Sequence, residues 1–167
     1  METLVFKPWM RNLNSSSPET FKVTSLIKSP KQYNVEELIK IVGNKILGYN
    51  EANIIIQYND NILNKFSTED CELQALLDKS PLPHTYNLMV RTKLQESLEI
   101  ILCHEMKHFD QYEKGDLKIK KDDSTITFIY KGKEYNSSTE YDFRPWEKEA
   151  RSEQYKLWKQ FKKIYHA

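Results

Sequence analysis

Between Lys93 and Tyr112 the apolar residues Leu94, Leu98, Ile101, Leu102, Phe109 and Tyr112 return at helical spacing, with Glu105 on the same stripe. So broad a stripe predicts an amphipathic helix laid against a core, with Gly115 marking its end. No other feature constrains the chain as strongly. A core-facing helix needs other elements to cover it, and the middle of this one carries His104-Glu105-Met106-Lys107-His108.

Successive helical residues turn by about 100°, so positions i and i+4 lie about 40° apart and one turn along. His104 and His108 therefore present two imidazoles to one point, with Glu105 next to it. The chain has four histidines, so two of them flanking a glutamate at this spacing on its most regular helix is a specific signal. Those residue types point to a metal centre. Imidazole suits zinc, whose tetrahedral site can keep one position open for water, and a neighbouring carboxylate can take the proton from that water. The expected cofactor is Zn2+, with His104 and His108 as ligands and Glu105 as proton acceptor.

Two histidines do not complete such a site. A glycine three residues after the second histidine, with a further histidine three residues on, would mark a metzincin, but Gln111 and Lys114 stand there. Asp116, Glu147, Glu149 and His166 are the downstream candidates. In the last predicted helix, Trp146, Ala150, Leu157, Phe161 and Ile164 define an inward face centred near Ala150. Glu147 lies about 60° from Ala150 and Glu149 about 100° away on the other side. The wheel favours Glu147 narrowly and leaves Glu149 open; either is also a favourable first-turn charge.

The rest of the chain reads as one domain over 31–167, preceded by an N-terminal arm over 1–30. Asn34 or Val35 to Leu47 predicts a helix capped by Asn34 and stopped by Gly48. Asn53–Tyr58 predicts a buried strand, Glu69–Leu77 a short helix, and Thr85–Arg91 a second strand. Leu117–Lys121 and Thr125–Tyr130 read as a hairpin insert with a further turn at Lys131-Gly132, and Pro145 opens a helix running to about Tyr165. Cys103 falls on the core side, His84 and His166 are expected to be exposed, and Gly43-x-x-x-x-Gly48 lacks the Lys-Ser/Thr of a phosphate loop.

Charge narrows the partners. With 25 Lys and Arg against 24 Asp and Glu in 167 residues, the chain has no basic surplus with which to grip nucleic acid or anionic lipid. Lys156, Lys159, Lys162 and Lys163 read as the solvated face of the last helix. No apolar stretch reaches membrane-spanning length, and two cysteines without a secretory signal imply reduced thiols and a cytoplasmic setting.

His104-Glu105-x-x-His108 followed by a helix with Glu147-x-x-Ala150 resembles the zincin metallopeptidases, specifically the gluzincin branch, in which a Glu-x-x-Ala-Asp helix supplies the third zinc ligand. Arg144-Pro145-Trp146-Glu147-Lys148-Glu149-Ala150 is also similar to small, uncharacterised metallopeptidase-like proteins of bacteriophages and bacteria, a setting that places such a chain in host cytoplasm or virion. The resemblance spans roughly Thr85–Tyr155. It implies an α+β, zincin-like fold, with a small, mostly antiparallel sheet packed on the metal-bearing helix and Thr85–Arg91 as the edge along which a peptide or protein substrate lies. It also implies His104, His108 and Glu147 as zinc ligands and Glu105 as general base, with Tyr141, Tyr112, Arg144 or Arg151 stabilising the oxyanion. One position departs from the pattern: Arg151 stands where the branch has the Asp that orients a ligating histidine, leaving Asp142, or Glu153 if Glu149 ligates, to take that part. The rival expectation is a non-catalytic, metal-stabilised binding or structural protein of phage type.

Overall fold

A computed structural model describes residues 20–69 and 71–167. Where inward residues alternate, strands form: Phe21 and Val23 in β1 (Phe21–Ser25), Ala52, Ile54 and Ile56 in β2 (Ala52–Tyr58), Tyr86, Leu88 and Val90 in β4 (Thr85–Val90). Between the first two lies α1 (Val35–Lys40), whose Asn34 side chain accepts from Glu37 N at 3.0 Å. The helix continues as a π-helical stretch, Ile41–Ile46. Its wider turn passes Gly43 directly over the Phe21 ring, where a Cβ would overlap the aromatic carbons. Asn59 caps α2 (Asp60–Phe66), and β3 (Ala75–Lys79) precedes β4.

The four strands are ordered β1-β2-β4-β3, with β1, β2 and β4 parallel and β3 antiparallel to β4. The sheet on which the histidine-bearing helix packs is thus mainly parallel, which corrects the mostly antiparallel expectation. Helical crossovers supply the chain length that parallel pairing needs. Two further corrections concern the edge. Thr85–Val90 lies inside the sheet, whose edges among the described residues are β1 and β3, and Ala75–Leu77 of β3 fall in the stretch Glu69–Leu77 expected to be helical. Ala and Leu favour helix intrinsically, but pairing with β4 and burial of Ala75 and Leu77 decide otherwise. The segment 1–30, expected as an arm, contributes β1 to the sheet; residues 1–19 lie outside the described part.

The long helix α3 (Leu98–Glu113) begins about five residues later than its apolar pattern, at Leu98 rather than near Lys93. It lies between this sheet and α4 (Pro145–Tyr165), which carries Ala150, Leu157 and Phe161 inward. Phe109 holds its centre, edge-on to Phe21, Tyr49 and Tyr86, and Cys103 is fully buried there. The insert is a separate three-stranded antiparallel sheet, β5 (Leu117–Asp122), β6 (Thr125–Tyr130) and β7 (Lys133–Asn136). It packs through Leu117, Phe128, Tyr130 and Tyr135 on Trp146, in the first turn of α4. The architecture is α+β, and no helix among the described residues is long and apolar enough to cross a membrane.

Candidate metal centre

Covered on two sides, α3 buries His108, Glu105, Lys107, Asp110 and Gln111 together with its apolar residues. Buried polar groups are costly unless hydrogen-bonded, and among the described residues no buried side-chain nitrogen or oxygen lacks a partner. The partners define the site.

His104 and His108 stand one turn apart, ring centroids 4.9 Å from each other. Both Nε2 atoms meet the same atom, Glu147 Oε1, at 3.0 and 3.1 Å. Glu147 reaches them from the first turn of α4, which Pro145 opens. Their Nδ1 atoms are engaged elsewhere: His104 with Gln154 Oε1 at 2.8 Å, His108 with Gln111 Oε1 at 2.8 Å. Gln111 directs its Nε2 to Trp146 O and Glu149 Oε1, both 2.9 Å away. Its oxygen is therefore an acceptor, and His108 donates from Nδ1.

A neutral imidazole that donates from Nδ1 presents a bare lone pair at Nε2. That lone pair on His108, facing a carboxylate oxygen, needs either an extra proton on the ring or a cation between the two atoms, whereas His104 can meet the same oxygen by donating from Nε2. Ligand atoms on a tetrahedral zinc, at about 2.0–2.2 Å from the ion, lie about 3.3–3.6 Å apart, a few tenths of an ångström longer than the two His–Glu147 separations here. Two imidazoles and a carboxylate are residue types that zinc accepts as ligands. Without a metal, burial draws the His108 imidazole down, but the Glu147 carboxylate and its hydrogen bond outweigh this and hold it up at about 9. Burial likewise pushes Glu147 up, and the two histidines more than reverse it, leaving the carboxyl far below its usual range.

Glu105, His104 and His108 each offer a ligand atom within 4.8 Å of the others. Glu105 Oε1 accepts from Leu77 N of β3 at 3.0 Å. Burial raises its carboxyl, and the imidazoles and the Leu77 amide only partly offset that. Ser80 N donates to Thr85 O, and Arg91 N to Gln74 O. Even-numbered residues of β3 thus bond to β4, and the main-chain groups of Ala75, Leu77 and Lys79 face the open side. The hairpin carrying this edge is tied to the end of α3: Glu113 bonds His84 Nδ1 at 2.5 Å and accepts from the Tyr86 hydroxyl at 2.6 Å.

Of the four carboxylate and histidine candidates for the third position, only Glu147 meets the two imidazoles. Glu149, the close alternative, bonds Gln111 instead, and His166 is exposed at the end of α4. Asp116 is joined to the β6–β7 turn through its carbonyl, which accepts from Lys131 N. Asp142 pairs with Arg151 at 2.9 Å, and the partner of His104 Nδ1 is Gln154. Among the oxyanion candidates, Arg151 is held by Asp142, and Arg144 donates to Thr139 O while lying over Phe128, Tyr141 and Trp146. Tyr141 and Tyr112 face the site; burial, then the charges of Glu147 and Glu105, push both hydroxyls far above their ordinary value.

Gln111, Gln154 and the Leu77 amide escaped the sequence reading. Gln111 was within reach, three residues after His108 and so on its face of the helix; Gln154 and Leu77 depend on how α4 and β3 pack. No protein-family model, curated protein or solved structure matches the chain.

Proposed function

We propose that the chain is a zinc-dependent metallopeptidase of zincin type, with His104, His108 and Glu147 as metal ligands and Glu105 as general base. The observation that carries this reading is the meeting of two Nε2 atoms on one Glu147 oxygen, beside a buried carboxylate and an open strand edge. Zinc held there by His104, His108 and Glu147 would supply Lewis acidity and an activated water. Glu105, its affinity for protons raised by burial, would hold the proton released as water adds to the scissile carbonyl and give it to the amine nitrogen as the C–N bond breaks. The outward main-chain groups of β3 other than the Leu77 N–H, which Glu105 takes, bind an extended peptide as an added strand. Tyr112, and Tyr141 once its hydroxyl leaves the Glu147 carboxylate that it bonds, are the donors proposed for the developing oxyanion.

The test is hydrolysis of an unfolded protein substrate by the zinc-loaded wild type and Glu105→Gln. We expect cleavage by the first, and a loss of at least a hundredfold in the second at unchanged zinc content. Equal activity of the two would remove Glu105 from its role. A non-catalytic reading, in which the metal clamps α3 to α4, draws on the low exposure of the site: the side chains of His104, His108 and Glu147 are 12%, 8% and 8% accessible. Zinc bound without any hydrolysis would favour it.

A further inference from the structure

Glu149 does not ligate, yet it is joined to the site by bonds that leave little choice of geometry. The two amide hydrogens of Gln111 are committed to Trp146 O and Glu149 Oε1. A carboxylate only accepts. Turning the Gln111 amide over would set its oxygen against two acceptors and its NH2 against the His108 Nδ1–H, so Glu149 and the Trp146 carbonyl together dictate which way the amide points. Gln111, which is fully buried, in turn dictates which nitrogen of His108 faces Glu147. Glu149 is itself held from the other side by the insert. Lys131 Nζ, in the β6–β7 turn, lies 3.7 Å from Glu149 Oε2, and the Tyr130 hydroxyl bonds the same carboxylate.

We propose that Glu149 is a positioning residue that acts through Gln111 on His108, making the β5–β6–β7 sheet part of the support of the metal centre. The inference rests on the metal-centre reading above. It gives the insert a part in the site: Tyr130 and Lys131 anchor the carboxylate that sets the tautomer of a ligand. It also explains why two glutamates stand two residues apart at the start of α4. Glu147 ligates, and Glu149 fixes the ring that ligates with it. Loss of such outer partners lowers metal affinity by about ten- to a hundredfold.

The experiment titrates zinc against a chromophoric chelator for wild type, Glu149→Ala, Gln111→Ala and the exchanged pair Gln111→Glu with Glu149→Gln. It also records the cobalt-substituted absorption spectra and the histidine ring NMR signals of the metal-free proteins. We expect both alanine variants, still folded by circular dichroism, to bind zinc about ten- to a hundredfold more weakly with altered cobalt bands. The exchanged pair, which restores an acceptor for His108 Nδ1–H and a donor facing it, should recover part of the loss. In metal-free wild type the His108 Nδ1–H should exchange slowly with water, and in Glu149→Ala rapidly. Wild-type affinity, cobalt spectrum and exchange in Glu149→Ala would overturn the proposal. A wild type that binds neither zinc nor cobalt would instead end the metal-centre reading, and the exchange of the Nδ1 proton would then decide alone whether Glu149 orients His108.

Discussion

Asp110 shows how polar residues persist inside α3. Its carboxylate accepts from Lys107 at 2.7 Å, Lys114 at 3.0 Å and the Tyr49 hydroxyl at 2.6 Å. Burial raises its carboxyl, but these partners outweigh that and leave it below the ordinary value. The unfolded chain then binds more protons than the folded one in this range, so the contribution of Asp110 is complete above about pH 4 and fades as pH falls through the lowered value. We expect Asp110→Asn to lose about 2–3 kcal/mol at pH 7 and the difference from wild type to shrink toward pH 2. Urea denaturation at both pH values checks this; a difference that grows with acid would contradict it. At this scale the sequence was most readable where chemistry demands a fixed spacing, as with His104, Glu105 and His108. The preference for Glu147 rested on a wheel angle and was narrow. Glutamines carry no such signature, and Gln154 becomes meaningful only when α4 is laid beside α3.

Among the elements, α1 with its π-helical continuation and β3 show where local pattern and final structure part. The spacing of Val35, Leu38, Ile39 and Val42 gave the helix and its end at Gly48, while the wider turn answers a long-range demand, room for the Phe21 ring. We expect Gly43→Ala to cost about 1–3 kcal/mol by overpacking, and Phe21→Leu in the same chain to relieve part of it. Chemical denaturation of the two single variants and the double variant measures this coupling; strictly additive losses would contradict it. β1 escaped notice because only Phe21 and Val23 of its five residues point inward. β3 was mistaken for helix because Ala75-Leu76-Leu77 suits either state, and only its partner β4 selects one. The edge strand was therefore assigned to the wrong segment, although the predicted Thr85–Arg91 strand itself matches β4.

At the scale of the molecule, α3 and α4 meet through the His104, His108 and Glu147 side chains as well as through apolar packing, so an ion bound there would hold two helices together. A ligand that binds only the folded state adds about 4 kcal/mol when its free concentration is a thousandfold above Kd. We expect EDTA to lower the midpoint of thermal unfolding and zinc to restore it, with no such response in Glu147→Ala. The α+β class, the helix bearing the histidines, the insert and the last helix were all readable from periodicity and turn residues. Strand order was not, since parallel pairing of β1, β2 and β4 depends on crossovers that no local signal encodes.

His104, His108 and Glu147 are proposed to hold one metal ion. Zinc content by elemental analysis of purified wild type and Glu147→Ala tests this most directly. We expect about one zinc per chain in the wild type and its loss in a Glu147→Ala variant that remains folded. A zinc-free wild type after supplementation, or undiminished zinc in Glu147→Ala, would contradict it.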